Sequence, residues 1–416
     1  MSEISCEVIT IGDEILYGHI LDTNAKWLSE QLDKLGVKIN KRSTISDNHF
    51  QITNTIDKSI SENDIIIFTG GLGPTNDDIT KKTLNKYFKG NLVRDEITYR
   101  QIKKIFKRRN FDLTKKNKDQ ALVPDNCQVL HNIHGTAPGL AFSIKKKLVI
   151  SLPGVPFEMK SLFNEKCIDL IRVKYNLPIV YHRIIKTVGI GESWLSDLIG
   201  KWEKNLDNSL SLAYLPSIGR VKLRLTGKGK NLKKIKLIIQ KQEKKLLKII
   251  EKYIYGYDND ELESQVGILL NDQNKTIAIS ESCSGGYASH MITSIPGSSK
   301  YFLGSIIAYN NSIKENILGI DKKIIRDKGA VSKEVVEEMA KNIRIKFKSS
   351  IGLSVSGIAG PSGGSTKKPV GTVWIGLSDD KKTYSKKFQL TERRDVNIIL
   401  SSICILNMLR LNLKGY

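Results

Sequence analysis

The most informative stretch of the sequence is Ala278-Ile279-Ser280-Glu281-Ser282-Cys283-Ser284-Gly285-Gly286. An apolar run typical of a β-strand, residues 276–279, leads into small polar residues, and the double glycine opens a predicted helix over 287–293. A strand that turns into a helix in this way brings side-chain nucleophiles close to unpaired backbone N–H groups, and glycines let a ligand approach the backbone. The stretch therefore predicts a phosphate site or a serine beside an oxyanion site, with a plain turn capped by serines as the alternative.

A serine in this turn would need a base, because its hydroxyl is a poor nucleophile at neutral pH. His290 is the nearest histidine in sequence, but we expect it to be a surface or packing residue of the helix. Lys314 follows a predicted strand that ends near Tyr309, and a lysine desolvated in a pocket can lose its proton near pH 7. Cys283 is a rival nucleophile. Since adjacent side chains on a strand face opposite ways, we expect only Ser282 to face the pocket.

The composition is that of a globular protein of two or three domains, with 416 residues, 40% of them hydrophobic and 26% charged. No apolar run approaches the length of a membrane span and no signal peptide is evident, so we expect a cytoplasmic protein with no membrane partner. The five cysteines are scattered without a CxxC pair, which argues against a disulfide framework or a zinc site.

The formal net charge of +23 would suit a nucleic-acid partner. Few aromatic residues are interleaved with the lysines to act as stacking platforms, and the chain is generally rich in lysine, isoleucine and asparagine. A compositional bias explains the charge more simply, and we do not expect a nucleic-acid partner.

Residues 5–160 alternate between predicted strands and helices, which indicates an α/β fold with a mostly parallel sheet covered on both faces. Three polar clusters, at 12–14, 46–48 and 70–78, follow strands, and ligands in such folds lie at the carboxyl ends of strands. The 70–78 loop offers backbone donors for phosphate and carboxylates for a divalent metal, although Asp77 and Asp78 would also cap the next helix. Turn-rich segments at 132–139 and 152–159 could close this pocket or be ordinary loops.

The rest of the chain divides into a smaller and a larger part. Residues 160–255 suggest a small α+β unit, in which we interpret Gly189–Gly191 as a turn and the lysine-rich helix over 232–253 as solvated on one face. The last unit is a second α/β domain. Its predicted strands are 305–309, 352–355, 370–377 and 383–389, and its predicted helices include 261–271, 333–347 and 393–411.

The whole chain resembles the CinA family of competence/damage-inducible proteins. The stretches that carry the resemblance are Gly12–Leu16 with Asp22–Asn24, Thr69–Thr80, Gly135–Gly139, Leu152–Met159, Glu281–Gly286, Gly329–Ser332, Ser356–Gly364 and Pro369–Trp374. The resemblance implies a MoaB/MogA-like molybdopterin-binding fold over 1–165, a KH-like α+β domain over 166–256, and a nicotinamide-nucleotide amidohydrolase domain over 257–416. It also implies a homodimer.

The resemblance implies two sets of site residues. In the last domain Ser282 would be the nucleophile, Lys314 its base and Tyr309 a further catalytic residue, with substrate bound by Ser299, Ser356, Gly357, Arg394, Gly285 and Gly286. In the first domain Gly70, Gly71 and Gly73 would form the phosphate loop, and Asp47, Asp78 and Asp77 would hold a divalent metal; the amidohydrolase would need no cofactor. Two positions depart from the family pattern: Ser284 replaces the usual threonine, and Val396-Asn397 stands where a second basic residue is common.

The expected activity is hydrolysis of nicotinamide mononucleotide to nicotinate mononucleotide and ammonia, in pyridine nucleotide salvage. The first domain would add a metal-dependent ADP-ribose pyrophosphatase. The alternative is that the first domain only binds a nucleotide or pterin, or is an interaction module connected with competence.

Overall fold

Alternating strands and helices fold the chain into two units, one made of residues up to Tyr181 with Lys228–Ile235, the other of His182–Gly227 with Lys236–Tyr416. The structure is a computed structural model and describes residues 3–75 and 78–416. Asp77, predicted as a metal ligand, lies outside the described residues.

The first unit contains eight labelled strands and eight labelled α-helices in its described part. The strands are β1 (Ser5–Ile11), β2 (Lys38–Ile45), β3 (Ile65–Thr69), β4 (Leu92–Arg94), β5 (Leu122–Pro124), β6 (Gln128–Leu130), β7 (Gly139–Ile144) and β8 (Lys147–Leu152). The helices are α1 (Asp13–Leu16), α2 (Thr23–Leu35), α3 (His49–Glu62), α4 (Thr80–Tyr87), α5 (Glu96–Arg108), α6 (Lys115–Asp119), α7 (Pro156–Leu162) and α8 (Ile168–Lys174), with a π-helical turn, Phe163–Cys167, between the last two.

The main sheet of this unit has the strand order β2-β1-β3-β8-β7-β6, parallel through β8 and antiparallel beyond it. Both faces of β3 are buried, because Ile65 and Ile67 pack with α2 while Ile66 and Phe68 pack with α3 and α4. Such burial on both sides explains the continuous apolar run of β3 and confirms the predicted α/β fold. Loops 12–14, 46–48 and 70–78 all follow carboxyl ends of parallel strands.

The caps of the first helices match the sequence signals. The Asp22 side chain accepts from the Ala25 N–H at the start of α2, and Gly36 ends the helix in the left-handed conformation. The Asn48 side chain accepts from the N–H groups of Phe50 and Gln51 at the start of α3. These caps fix where the polar loops leave the sheet.

The helical segment after β8 belongs to the first unit as far as Tyr175. Phe163, Cys167, Ile171 and Tyr175 are buried in the same cluster as β1 and β3. The boundary that we predicted between residues 165 and 166 therefore falls inside a packed helix.

A small α+β part follows, most of whose residues belong to the second unit. It contains β9 (Ile179–Val188), α9 (Glu192–Lys204), β10 (Leu210–Ser217), β11 (Arg220–Gly229), α10 (Leu232–Ile250) and β12 (Ile254–Tyr257). The sheet order is β10-β11-β9-β12, and α9 and α10 cover one face through Leu195, Ile199, Leu246 and Ile250.

The last part of the chain is an α/β layer structure around the sheet β14-β13-β15-β16-β17. Its strands are β13 (Ile277–Glu281), β14 (Phe302–Ile307), β15 (Ile351–Gly357), β16 (Thr372–Ser378) and β17 (Thr383–Gln389). Its helices are α11 (Leu262–Asp272), α12 (Tyr287–Thr293), α13 (Asn311–Asn316), α14 (Lys322–Lys328), α15 (Lys333–Phe347) and α16 (Arg394–Leu413). Ile277 and Ile279 face the core that contains α16, and Ala278 faces the core that contains α15.

Two strands differ from the sequence prediction in ways that matter for the site. β13 continues to Glu281, so Ser282 is the first residue after the strand. β14 ends at Ile307, so Tyr309 lies in the connection to α13 and not in the strand. In β13 the polar residues Ser280 and Glu281 continue the sheet ladder beyond the apolar run, whereas β14 ends two residues earlier than predicted.

Helix α16 corrects one expectation. By length and composition it could cross a membrane, so our statement that no apolar run approaches that length was wrong. More than half of its apolar window is buried in the structure (56%), and Asn397, Ser401 and Ser402 are buried with it. These contacts are those of the central helix of an α/β layer.

Candidate active site

The turn after β13 places a serine hydroxyl beside a buried amine. The Lys314 Nζ donates to Ser282 Oγ at 3.2 Å, to the Ala308 carbonyl at 2.6 Å and to the Tyr309 carbonyl at 3.4 Å. Lys314 is 1% exposed and Ser282 is 8% exposed. The structure thus brings together the two residues that the sequence nominated as nucleophile and base, 32 positions apart.

Burial lowers the pKa of the Lys314 amine, because a charged ammonium loses its water there; the neighbouring Cys283 opposes this shift. A lowered pKa increases the share of neutral amine at a given pH. The neutral amine has a lone pair and can accept the serine proton, which an ammonium cannot do. The pair therefore has the geometry and the electrostatics of a nucleophile with its base.

Cys283 is not a competing nucleophile in this structure. Its side chain is 6% exposed and packs in the apolar core on the α16 side of the sheet. Burial raises the pKa of its thiol to about 12, so the reactive thiolate is disfavoured. A Cβ added to Gly357 would lie 3.0 Å from the Cys283 sulfur, which shows how closely β15 covers it.

The residue that sequence analysis missed is Glu281. Its carboxylate is fully buried at the end of β13 and accepts hydrogen bonds from the turn that follows. The donors are Ser284 Oγ (2.6 Å), Gly286 N (3.0 Å), Ala288 N (3.2 Å), Ser289 N (2.8 Å) and Ser289 Oγ. A glutamate at the end of an apolar strand and just before a helix start was the available signal.

Glu281 caps α12 from outside the helix. Gly286, the N-cap residue, has no side chain to satisfy the first N–H groups, and the Glu281 carboxylate takes their place. The same carboxylate explains why a hydroxyl is kept at Ser284. The conformation of the whole turn therefore depends on one buried side chain.

Some backbone N–H groups of the turn have acceptors within the protein, and others are left for a ligand. The Gly285 N–H donates to the Ser282 carbonyl and the Gly286 N–H to Glu281, so neither points to a free oxyanion. Within the part of the chain that the structure describes, the N–H groups of Cys283 and Ser284 have no backbone acceptor. The expected oxyanion donors are therefore the N–H groups of Cys283 and Ser284. Gly285 and Gly286 contribute the left-handed backbone conformation that the turn needs (φ 60° and 98°).

Arg394 and Tyr309 form the charged edge of the site. Arg394 Nη2 donates to the Tyr309 hydroxyl at 2.8 Å, and Nη1 donates to the Gly360 carbonyl at 3.1 Å. Asn397, at the position where a second basic residue is common, bonds to Ala359 and Thr391 and so fixes the loop before α16. Arg394 is exposed and keeps donors for an anion.

The other predicted ligand-binding residues have different surroundings. Ser356 is buried at the end of β15, and its hydroxyl donates to the Ala330 carbonyl. Ser299 is exposed in a short 3₁₀ turn, Ser298–Lys300, and none of the described hydrogen bonds links it to the Ser282 cluster.

The first unit has a separate pocket of about 380 Å³ at the carboxyl ends of β1, β3 and β8. The predicted loop residues Gly70, Gly71 and Gly73 line it. Gly70 N donates to the Leu152 carbonyl, so the loop's N–H groups without a described acceptor are those of residues 71–73. A Cβ on Gly71 would lie 2.0 Å from Thr80 Oγ1, so only glycine fits there.

All the ionisable side chains that line this pocket are acidic in its described part: Glu14, Asp47, Asp78 and Glu158. Asp78 accepts from the backbone and hydroxyl of Thr75, and Glu158 accepts from Asn132 at 2.6 Å. Glu158 was not among the predicted site residues, although the turn before it was a candidate to close the pocket. A phosphate compound would meet four carboxylates here, and none of the described lining residues is a basic side chain that could offset them.

This donor set fits a divalent cation that is shared with a phosphate. No group of three or more potential ligands with metal-binding geometry occurs among residues 3–75 and 78–416. Magnesium is often bound by one or two carboxylates together with substrate phosphates. Asp47 and Asp78 adjoin the glycine loop, because Cβ atoms on Gly71 and Gly73 would lie 3.4 Å and 2.5 Å from their oxygens.

Comparison with known proteins assigns each part of the chain. Residues 7–172 match the probable molybdopterin binding domain, residues 182–256 match the damage-inducible protein CinA KH domain, and residues 259–413 match the CinA C-terminal domain. The fold and sites thus define a three-domain protein with a molybdopterin-binding-like domain, a KH domain and a CinA C-terminal domain.

Similarity to full-length relatives identifies the family. A "CinA-like protein" of Cytophaga hutchinsonii is 49% identical over 99% of both chains, and a "putative competence-damage inducible protein" of Halothermothrix orenii is 41% identical over 92% of this chain and 93% of that one. The solved structure of the protein CinA of Thermoplasma acidophilum is 34% identical over 41% of this chain and 99% of its own, with a TM-score of 0.38. The chain belongs to the CinA family.

We expect Glu281→Gln to loosen the turn. The amide keeps one acceptor oxygen and turns an NH₂ group toward N–H donors, so buried donors lose their partner. The loss should be about 2 kcal/mol of unfolding free energy or more, which is roughly 4–8 °C in the melting temperature of a domain of this size. Thermal unfolding followed by circular dichroism measures it, and hydrogen exchange of amides 284–289 should accelerate.

The matched control for this prediction is Glu334→Gln, a surface glutamate of the same domain. It should change the melting temperature little. Equal melting temperatures for Glu281→Gln and Glu334→Gln would contradict the role given to Glu281.

Proposed function

We propose that the C-terminal domain is a serine–lysine amidohydrolase that converts nicotinamide mononucleotide to nicotinate mononucleotide and ammonia. The observation that supports it most is the 3.2 Å contact between Lys314 Nζ and Ser282 Oγ in a site that excludes water from the amine. The substrate is proposed from the resemblance to the family, and the class of reaction is proposed from the geometry of the site. In this proposal the protein acts in the cytoplasm, in pyridine nucleotide salvage.

The reaction begins when Ser282 Oγ attacks the carboxamide carbon and the neutral Lys314 amine takes the serine proton. The carbonyl oxygen becomes an oxyanion next to the N–H groups of Cys283 and Ser284. Lys314 then returns the proton to the amide nitrogen, the carbon–nitrogen bond breaks and ammonia leaves. A nicotinoyl ester on Ser282 remains.

Water completes the turnover. Lys314 removes a proton from a water molecule, the hydroxide attacks the ester carbon, and Ser282 recovers its proton as the carbon–oxygen bond breaks. Arg394, next to the Tyr309 hydroxyl, would bind the phosphate of the substrate as a charge-assisted partner. Tyr309 positions the guanidinium through its hydroxyl and the amine through its carbonyl.

We propose a second activity, metal-dependent hydrolysis of ADP-ribose to AMP and ribose 5-phosphate, for the N-terminal domain. The observation that favours it is that the ionisable side chains among the described lining residues are all acidic and lie beside a glycine loop. A cation held by Asp47 and Asp78 would offset the phosphate charge and polarise a phosphoryl oxygen. The chain's own contribution is the backbone donors of residues 71–73 and the fixed position of the Asp78 carboxylate.

Ser282→Ala should abolish ammonia release from nicotinamide mononucleotide, by at least about 10³-fold in kcat, because the nucleophile and its base act as a unit. Ammonia is measured for wild type and variant side by side, both with chelator present. Ser294→Ala, a serine at the end of α12, is the control and should keep its activity. A wild-type rate of ammonia release by Ser282→Ala would contradict the assignment of Ser282 as the nucleophile.

Lys314→Arg tests whether the lysine is a base or only a positive charge. Arginine keeps the charge but cannot lose its proton near neutral pH, so we expect at least about a 10²-fold loss of kcat/KM. In the wild type kcat/KM should rise with pH as the amine loses its proton, with a midpoint below the usual lysine value of about 10.4. Activity retained by Lys314→Arg, or a rate that falls through this pH range, would contradict proton transfer to Lys314.

Asp78→Ala should reduce ADP-ribose hydrolysis by about 10-fold to 100-fold, the usual scale for altering a metal's protein partners. Chelator should reduce wild-type activity as well, and Mn²⁺ binding measured by electron paramagnetic resonance should weaken in the variant. Glu62→Gln, an exposed carboxylate at the end of α3, is the control. Hydrolysis insensitive to both changes would exclude the pyrophosphatase, and tight binding without turnover would favour the alternative, a nucleotide- or pterin-binding module.

A further inference from the structure

A second cavity, in the second unit, has none of the residues of the Ser282 site among its described lining residues. It has a volume of about 880 Å³ and lies between the α+β part and the edge of the last sheet. Small-molecule sites are usually cavities of about 300–1,000 Å³ with apolar walls and a few polar groups. Its walls are the loop before α9, the β10–β11 turn, strand β17 and the outer face of α16.

Aromatic side chains supply much of the apolar wall. Tyr384 and Phe388 lie on the same face of β17 and line the cavity, and the α+β part contributes Tyr253 and Trp194. Trp194 is 71% exposed, and its ring lies against Gly191, since a Cβ there would come within 2.8 Å of the indole. An exposed indole on the rim of a cavity offers a flat face for stacking.

The charged side chains of the wall are mostly basic. Arg220, Lys252 and Lys386 line the cavity, and Glu192 is the one acidic side chain among its described lining residues. The guanidinium of Arg220 pairs with Glu261 and Glu263, but its Nε is buried and has no partner within the described part of the chain. A buried donor without an acceptor is costly, which indicates that an acceptor from a ligand would be stabilising there.

The Gly189-Ile190-Gly191 turn adds backbone donors at the same place. It opens α9, a helix of 13 residues whose N-cap, Gly191, provides no side-chain acceptor. The first N–H groups of α9 therefore adjoin a cavity that already has basic side chains. The sequence indicated only a turn here, and the proposed amidohydrolase and pyrophosphatase chemistry leaves it unused.

We propose that this cavity binds a small organic anion that joins an aromatic ring to an acidic group. The ring lies between Trp194 and the aromatic residues of β17, and the acidic group lies toward Arg220, Lys386 and the start of α9. The site is independent of both proposed active sites, and its residues are not shared with either.

The test uses 8-anilinonaphthalene-1-sulfonate, an aromatic sulfonate that fluoresces when bound, with the full chain. We expect saturable binding of one probe per chain. Lys386→Glu should weaken it by about tenfold, the scale of one lost charge-assisted contact. Lys387→Glu is the matched control, because it makes the same charge change on the opposite face of β17 and does not line the cavity; it should leave binding within about twofold.

A second pair of variants tests the aromatic wall. Trp194→Ala should weaken binding of the probe severalfold. Phe50, in the first unit, is a similarly exposed aromatic residue, and Phe50→Ala should leave binding of the probe unchanged. Absence of saturable binding, equal effects of Lys386→Glu and Lys387→Glu, or loss of binding in Phe50→Ala alone would each overturn the proposal. Melting temperatures close to wild type in the four variants show that the comparison is between folded proteins.

Discussion

The geometry of the C-terminal site depends on the burial of one carboxylate, Glu281. Strand β13 is held on both sides by parallel neighbours, so the end of the strand is a fixed point. From that point Glu281 accepts hydrogen bonds from Ser284, Gly286, Ala288 and Ser289, and the turn has little freedom left. A nucleophile must be held within a fraction of an ångström of its base, and a rigid turn on a central strand provides this better than a surface loop.

Two opposing effects act on the charge of the Lys314 amine in the same domain. Carbonyl oxygens of Ala308 and Tyr309 favour the charged ammonium of Lys314, whereas burial disfavours it. Burial is the larger effect on the pKa of this amine, and the carbonyls then orient the amine toward Ser282. A serine and a lysine on a solvated surface would not have this property, because water would keep the amine charged.

The two candidate catalytic pockets are electrostatic opposites, and this separates their chemistry. The C-terminal site has a lysine, an arginine at its edge and backbone donors, which suits an oxyanion and a phosphomonoester without further charge. The N-terminal pocket is acidic among its described residues, although the chain as a whole carries a net charge of +23. A diphosphate in such a pocket would need compensating cations, which is why the proposed pyrophosphatase chemistry includes a metal.

Sequence patterns predicted the fold well because most of it follows local rules. The helix over 333–347 occurs as predicted, and the helix that ends before Gly36 and the helix capped by Asn48 follow equally local signals. Patterns of apolar residues failed where a strand continues in polar residues, as at Ser280 and Glu281, because the ladder there is stabilised by its neighbours and not by its own side chains. Resemblance nominated Ser282 and Lys314, but their contact depends on how α13 follows β14.

The residues that sequence could not supply are those whose roles depend on long-range packing. Glu281 looks like one more polar residue in a turn until its donors are placed around it, and Glu158 looks like a helix residue until Asn132 and Gly135 surround its carboxylate. Asn397 stands where a second basic residue is common, yet its amide closes the loop that presents Arg394. In each case the hydrogen bonds of a single side chain fix the backbone conformation of a loop. That conformation then determines which groups the loop presents to the site. Because Asn397, a neutral residue, fixes this loop, Arg394 keeps donors for an anion at the edge of the site.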